Sequence, residues 1–369
     1  MLTTAVVADR IARARATMQR EGIDALLVSV GPDLPYLVGY EAMPLERLTM
    51  LVVPRDGVVS LVIPRLEAPR VVEHPEVFTV LPWGELDDPV AIVASLVPQP
   101  AVAAVGDTMW ARFLVELLQH WNAGTRYVRS TVVMNDLRMR KDAAEVEALK
   151  VAGAAIDRVI TQVQRGEVPL VGRTEAEVSD DLSRRIIAEG HQRVNFAIVA
   201  AGENAASPHH HPGDRVIRHG DLVLVDIGGT MNGYCSDITR CVHIGPVPAD
   251  IAEAYAVLHA SHAAGVAAGV VGVACQDVDR AARRVIADAG FGEYFIHRTG
   301  HGIGMEEHED PYMVEGNTLP IAAGHAFSVE PGIYVSGRWG MRLEDIVVAT
   351  EAGPIAMTSA DHSLVQVPD

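Results

Sequence analysis

Cysteine is scarce in this chain of 369 residues, which contains only Cys235, Cys241 and Cys275. No two of them form a CxxC pair, so the sequence offers neither a disulfide framework nor a thiolate metal site of that kind. Scarce, unpaired cysteines are typical of proteins from a reducing compartment. We therefore expect a cytoplasmic protein whose thiols take no part in catalysis.

Long apolar runs and excess positive charge are also absent. No segment reaches the roughly 20 apolar residues that cross a bilayer. The N-terminus leads into Arg10, Arg13 and Arg15 without the apolar core of a signal peptide. The 30 lysines and arginines are outnumbered by 48 aspartates and glutamates, which gives a net charge of −18. Such a surface repels nucleic acid, so we expect neither a membrane nor a nucleic-acid partner.

The composition that remains is that of a globular protein, with 49% hydrophobic and 21% charged residues, and the length suits two domains. Strand and helix patterns alternate in the first part, from an amphipathic helix at residues 7–22 to a strand at residues 127–133. This alternation predicts an α/β domain. Charged residues become abruptly more frequent over residues 137–146, where a long helix pattern begins. We therefore divide the chain into domains 1–138 and 139–369.

Two carboxylates within apolar strands mark the second domain. Asp226 lies in an apolar run at residues 222–229, and Asp237 lies in a second run at residues 234–240. Asn232-Gly233 between the runs is a strong signal for a β-hairpin. An ionised carboxylate in an apolar strand is costly unless a cation or a hydrogen-bond network meets it. Helices and further strands follow, including one predicted strand over residues 341–348.

Three later segments also place titratable groups inside or at the end of apolar strand-like runs. They are residues 297–304 followed by His308, residues 328–334, and residues 342–345. Taken singly, each has a simpler interpretation, such as an ordinary turn or a surface ion pair. Taken together, they add His301, Glu330 and Glu344 to the two aspartates. Four carboxylates balance two divalent cations, and an oxygen-rich site with one nitrogen favours manganese, iron, cobalt or zinc over copper.

In this order, the motifs Asp226, Asp237, His301-Gly-Ile-Gly, Glu330-Pro-Gly and Arg342-Leu-Glu-Asp resemble those of metallopeptidases with the pita-bread fold. Within that group the chain resembles the Xaa-Pro peptidases, namely prolidase and aminopeptidase P. The resemblance runs from residue 141 to the C-terminus. The N-terminal part is similar to the creatinase/prolidase N-terminal domain in size, α/β alternation and position. The implied fold is an α/β N-terminal domain followed by an α+β pita-bread catalytic domain.

The resemblance implies a role for each ligand. Asp226 chelates one metal, Asp237 and Glu344 bridge both, and His301 and Glu330 hold the other. A water or hydroxide between the two ions would attack the peptide bond, and Glu330 would pass its proton to the leaving proline nitrogen. The ions are expected to be manganese, with cobalt, zinc and iron as alternatives. The substrate would be a small peptide with proline at the second position, and the assembly a homodimer.

The resemblance also implies residues that contact the substrate. His308 would stabilise the oxyanion, and His209 would be the active member of the run His209-His210-His211. The alternative for that run is a polar loop or an adventitious metal site. His297 would line the proline pocket, and Tyr334 and Arg342 would lie nearby. The alternative role of Arg342 is to orient Glu344.

Other functions are compatible with parts of this pattern. One is metal-dependent hydrolysis of a non-peptide amide, as in ectoine-type ring opening, and another is a non-catalytic peptide-binding relative. Creatinase-like members lack the metal ligands, whereas all five are present here. A dipeptidase needs a cation for the proline carboxylate, and residues 310–317 after His308 offer none. We nevertheless favour a dipeptidase over an aminopeptidase, because the N-terminal domain is compact and single.

Overall fold

The computed structural model describes residues 2–121 and 124–367, and the chain divides into two compact units, Met1–Arg138 and Met139–Asp369. In the described part of the chain, no helix is both long and apolar enough to span a membrane.

The first unit is built on a mixed six-stranded sheet with the strand order β4-β3-β2-β1-β5-β6. Strands β1, β5 and β6 are parallel to one another, and β2 runs antiparallel to both β1 and β3. Its elements are α1 Thr4–Glu21, β1 Ala25–Val28, α2 Asp33–Val38, β2 Met50–Pro54, β3 Val59–Pro64, β4 Phe78–Trp83, α3 Pro89–Leu96, β5 Val102–Val105, α4 Ala111–His120, β6 Arg126–Arg129 and α5 Thr131–Met139.

One predicted strand of this unit is wrong in its second half. The strand expected over residues 127–133 ends at Arg129, and α5 begins at Thr131. The β-branched run Thr131-Val132-Val133 suggested a strand. The buried side chains of Val133, Met134 and Leu137 instead recur at helical spacing, and burial of that face outweighs the local preference.

The second unit is built on two larger sheets and a separate β13-β14 pair. The strand orders of the larger sheets are β17-β9-β8-β7 and β11-β10-β12-β15-β16. Its elements are α6 Ala143–Gln164, α7 Glu175–Ala188, β7 Arg193–Ala201, β8 Leu222–Met231, β9 Tyr234–Ile244, α8 Ala249–Ala268, α9 Cys275–Asp288, β10 Gly300–Gly302, β11 Glu309–Met313, β12 Ala326–Val329, β13 Gly332–Val335, β14 Trp339–Arg342, β15 Asp345–Thr350, β16 Gly353–Ala356 and β17 Val365–Val367.

The predicted hairpin is confirmed as β8 and β9, which pair over their whole length. Asn232 and Gly233 join them with φ values of 53° and 84°, the positive values that a two-residue type I′ turn requires. Asp226 lies opposite Thr239, and Asp237 lies opposite Gly228. Because side chains alternate along a strand, both aspartates lie on the same face as diagonal neighbours.

The two faces of this hairpin pack against different helices. Val223, Val225 and Ile227 belong to a core that includes Ile156 of α6 and Leu182 of α7. The alternate residues Leu222 and Leu224 belong to a second core, which contains Leu258 of α8 and also Met341 and Leu343. The aspartates therefore face the side on which the β14 segment is packed.

Candidate active site

Asp226 and Asp237 are almost fully enclosed, with 7% and 3% of their surface exposed. Their position follows from the hairpin register, and Gly228 makes that register possible. A Cβ at Gly228 would collide with the Phe196 ring and the Ser236 carbonyl. The close approach of these groups holds the strand opposite Asp237 in place.

His301 is held in the middle of the short strand β10 by close backbone contacts on both sides. A Cβ on Gly300 would collide with the Ser328 carbonyl, and one on Gly302 with the Asp310 carbonyl. His301 Nδ1 lies 3.0 Å from the Gly302 carbonyl, so it donates there and leaves the Nε2 lone pair free. Nε2 lies 3.8 Å from Asp237 Oδ2 and 3.4 Å from Glu330 Oε1.

Glu330 and Glu344 reach the same place from two other strands. Glu330 directly follows β12, and its backbone N–H donates to the Thr299 carbonyl at 2.7 Å. Glu344 lies between β14 and β15, where its N–H donates to the Thr239 carbonyl. Glu344 Oε2 accepts a 2.6 Å hydrogen bond from the Thr239 hydroxyl. The strand predicted over residues 341–348 is therefore interrupted, and the interruption turns Glu344 toward β9.

These side chains form a buried cluster in which the positive charge is too small to balance the carboxylates if all of them are ionised. The ligand atoms of Asp237, His301 and Glu344 lie within 4.8 Å of one another. Burial raises the pKa of Asp237, and neighbouring Glu344 and Asp226 raise it further. Burial likewise raises the pKa of Glu344, and it raises that of Glu330 to about 7 against the opposing effect of Arg342. Ionisation of these carboxyl groups is therefore unfavourable unless further cations join them.

Divalent metal ions fit this cluster. Among the described residues, Asp226 Oδ1, Asp237 Oδ1 and Glu344 Oε1 are buried oxygens that accept no hydrogen bond. Buried carboxylate oxygens without a donor are costly, and a cation would satisfy them. Burial, with a further effect from His308, lowers the pKa of His301 to about 3. The imidazole is therefore neutral and able to act as a ligand.

Arg342 is the cation that contacts the cluster. Its Nη2 donates to Asp226 Oδ2 at 2.5 Å, its Nε donates to the Thr239 hydroxyl, and its Nη1 donates to the Tyr334 hydroxyl at 2.8 Å. The Tyr334 hydroxyl lies 2.9 Å from His297 Nε2. One hydrogen-bonded chain therefore joins His297 to Asp226.

The remaining predicted residues line a cavity of about 780 Å³ that contains the cluster. His308 is exposed there, and its ring centroid lies 3.9 Å from that of His301. His209 lines the cavity and is also exposed. His210 lies with Nε2 2.7 Å from the buried Glu175 carboxylate, whereas His209 has no such carboxylate partner among the described residues.

The fold and the geometry agree with the families that the chain matches. The model of metallopeptidase family M24 matches residues 146–351, and the model of the creatinase/prolidase N-terminal domain matches residues 10–140. The chain belongs to metallopeptidase family M24. The predicted resemblance and the predicted pita-bread fold are confirmed.

Relatives of this M24 metallopeptidase are named dipeptidases and prolidases. The probable dipeptidase PepE of Mycobacterium tuberculosis is 45% identical, over 98% of this chain and 97% of its own. The crystal structure of dipeptidase PepE from Mycobacterium ulcerans has 47% identity and a TM-score of 0.93, with complete coverage of both chains. The prolidase of Thermococcus sibiricus has 33% identity and a TM-score of 0.90, covering 97% and 98%. The chain is thus a metallopeptidase of the dipeptidase and prolidase type.

Arg298 also lines the active-site cavity, and our sequence analysis missed it. Its guanidinium carbon lies 4.3 Å from the centroid of the Tyr312 ring, and its Nη2 lies 3.4 Å from His308 Nδ1. None of the carboxylates in residues 2–121 and 124–367 forms an ion pair with it. We considered a cation only in residues 310–317, whereas Arg298 lies before His301, in the segment His297-Arg298-Thr299-Gly300. Its position directly after a predicted pocket residue was the available signal.

Proposed function

We propose that this M24 metallopeptidase is an Xaa-Pro dipeptidase that uses two divalent metal ions, with manganese as the expected metal. The observation that carries the dipeptidase assignment is Arg298, a cation in the cavity without a carboxylate partner among the described residues. The imide nitrogen of an Xaa-Pro bond carries no N–H, so its recognition depends on shape and on the groups around it.

In this proposal Asp226, Asp237, His301, Glu330 and Glu344 hold the metals. The donor set of carboxylates and one neutral imidazole suits manganese, cobalt, iron or zinc. When bound, the metals would lower the pKa of water and polarise the scissile carbonyl. Asp237 and Glu344 are the two carboxylates most suited to contact both ions, because their ligand atoms lie within 4.8 Å of each other and of His301, whereas Asp226 Oδ2 already accepts from Arg342.

Glu330 is the residue suited to carry a proton. Burial raises the pKa of its carboxyl group to about 7 in the metal-free cluster, and bound cations would lower that pKa again, so that the ionised group can accept a proton. It faces the cavity, and Ser328 Oγ holds its Oε1 at 3.3 Å. Glu330 would take the proton of the attacking water and deliver it to the proline nitrogen as the C–N bond breaks.

Two histidines would bind the substrate next to the metals. His308 lies beside His301 at the surface of the cavity, where an imidazole N–H can stabilise the developing oxyanion. His209 lies in the same cavity, and within the described part of the chain it has no carboxylate partner like that of His210. It would donate to the substrate backbone.

His297, Tyr334 and Arg342 would form the wall that meets proline. Burial, reinforced by Arg342, lowers the pKa of His297 to about 4, so its ring is neutral at pH 7. The Tyr334 hydroxyl accepts from Arg342 and donates to His297 Nε2. A neutral ring fixed in this way offers a rigid surface for the pyrrolidine ring without a charge that would need solvent.

Arg298 would bind the carboxylate at the end of a dipeptide. Arg342 already contacts Asp226 and Tyr334, which leaves Arg298 as the cation of the cavity lining that can meet a substrate anion. Its stacking on Tyr312 restrains the guanidinium before substrate arrives. A longer peptide places an amide, and not a carboxylate, at this point.

The experiment compares Ala-Pro with Ala-Pro amide on the wild type and on Arg298→Ala. Hydrogen bonds to charged groups contribute about 1.5–3 kcal/mol. We therefore expect kcat/KM for Ala-Pro to fall by about 10- to 150-fold in the variant, with little change for the amide. The control is Arg338→Ala, which removes an arginine that is paired with Asp250 at the surface.

Equal losses on both substrates would contradict the carboxylate role of Arg298 and leave an aminopeptidase as the better assignment. No turnover of any Xaa-Pro substrate by metal-loaded wild type would contradict the peptidase specificity itself.

A further inference from the structure

A second set of metal-ligating side chains lies outside the active-site cavity. His262 is on α8, Asp345 is the first residue of β15, and His362 is in the segment between β16 and β17. Their ligand atoms lie within 4.8 Å of one another. None of these three side chains lines the cavity that contains the active-site cluster.

Both imidazoles of this set contact the same oxygen of the Asp345 carboxylate. His262 Nε2 lies 3.1 Å and His362 Nε2 lies 2.5 Å from Asp345 Oδ2. The centroids of the two rings are 5.3 Å apart. Zinc binds imidazole nitrogen and carboxylate oxygen at about 2.0–2.2 Å, so two ligands of one ion lie at most about 4.4 Å apart. Both distances are within that limit.

The other oxygen of Asp345 is fixed by the protein. Asp345 Oδ1 accepts hydrogen bonds from Arg240 Nη2 at 2.7 Å and from the Thr358 hydroxyl at 2.6 Å. A carboxylate ligand in a metal site is typically held in this way through its second oxygen. Oδ2 is consequently directed toward the two histidines.

His262 provides an independent observation. Its side chain is 8% exposed, and its Nε2 is buried without a hydrogen-bond partner in the described structure. The 3.1 Å contact with Asp345 therefore has the distance of a hydrogen bond without its alignment. A buried imidazole nitrogen is costly when it has no partner. This nitrogen lies within 4.8 Å of the ligand atoms of Asp345 and His362, where a cation would satisfy it.

We propose that His262, Asp345 and His362 form an additional Zn²⁺ site, separate from the active-site metals. Two imidazoles and one carboxylate are a zinc-binding set, and water would complete four-coordination on the side where His362 is partly exposed. The ion would join α8, β15 and the C-terminal segment. Through Asp345 it would also stabilise Arg240, which donates to the Glu344 carbonyl at 2.6 Å.

The test is the number of Zn²⁺ ions bound per full-length chain, measured by equilibrium dialysis followed by elemental analysis. We expect wild type to bind one ion more than His362→Ala and His262→Asn. The matched control is His259→Ala, which removes an exposed imidazole on the same helix, with its ring centroid 6.2 Å from that of His362. The control should bind as many ions as wild type.

Thermal unfolding provides a second readout that does not depend on catalysis. Added Zn²⁺ should raise the Tm of wild type and His259→Ala more than that of His362→Ala, because an ion that binds only the folded state stabilises it. Equal ion counts and equal Zn²⁺-dependent Tm shifts in wild type, His362→Ala and His262→Asn would overturn the proposal. His362 is 36% exposed, so its replacement preserves the core, which circular dichroism verifies.

Discussion

Asp237 illustrates how a single residue can serve function at the expense of stability. Its carboxylate is buried beside Asp226 and Glu344, and each of these features raises its pKa. The protein does not compensate this buried carboxylate with hydrogen bonds to both oxygens, since Oδ1 accepts none from the described residues. Metal binding is the property that gives this arrangement a physical reason.

Replacement of Asp237 by Asn should separate activity from folding. We expect the variant to lose more than about 100-fold in kcat/KM, the upper end of losses caused by residues that only support a metal ligand. The metal-free variant should unfold at the same temperature as metal-free wild type or higher, because one buried repulsive charge is gone. The control Asp250→Asn removes an exposed carboxylate. Full activity of Asp237→Asn would refute its role as a ligand.

His297 should make stability depend on pH. Burial lowers its pKa from 6.5 to about 4, so between these values the unfolded chain binds a proton that the folded chain does not. Folding stability therefore decreases as pH falls through this window. His297 should contribute about 1–2 kcal/mol of stability loss from pH 8 to pH 5, and the pH dependence of His297→Gln should lack this contribution.

Urea unfolding of the metal-free protein at both pH values measures this difference without interference from metal release. His211→Gln, which replaces an exposed histidine of the same cavity, should behave like wild type. An identical pH dependence for His297→Gln and wild type would show that this ring is not the source.

At the scale of elements, the hairpin β8–β9 is the structure that positions the first two ligands. Gly228 lies opposite Asp237 and meets the Phe196 ring and the Ser236 carbonyl. Gly228→Ala should therefore destabilise the protein by about 1–3 kcal/mol through overpacking and reduce activity by displacing Asp237. Urea unfolding measures the first effect.

A matched control is Gly213→Ala. The nearest atom to its added Cβ is 4.0 Å away, so its stability should equal that of wild type. Wild-type stability of Gly228→Ala would show that the strands can separate locally, and that the close packing is not what fixes the register.

The hairpin also shows which elements sequence patterns predict well. The apolar runs and Asn232-Gly233 predicted both strands and the turn, because these signals are local. The capping box at the start of α7 is an equally local pattern, in which Thr174 and Glu177 each accept a hydrogen bond from the other's backbone N–H. The predictions at residues 127–133 and 341–348 were wrong in part. There the outcome depends on burial of α5 and on the contact between Glu344 and Thr239, which are not local.

At the scale of the whole molecule, the site depends on contacts that span the second unit. Its expected ligands extend from Asp226 to Glu344, and the two larger sheets of that unit meet through the bridge between Thr239 and Glu344. Sequence motifs predicted the ligand types, whereas only the fold brings Arg298 into the cavity with them. The homodimer, the identity of the metals and the boundary at residues 138 and 139 stay predictions.

The central claim is that the metal-loaded chain hydrolyses Xaa-Pro dipeptides. The most direct measurement is turnover of Ala-Pro, Ala-Pro-Ala and Ala-Ala by the full-length protein after chelation and again after addition of Mn²⁺. We predict that Ala-Pro is hydrolysed only with metal. Ala-Pro-Ala should be at least about tenfold slower, because its proline carries an amide where Arg298 would bind a carboxylate, and its own carboxylate lies one residue farther along. Ala-Ala should be slower than Ala-Pro. Metal-loaded protein that leaves Ala-Pro intact would contradict the account.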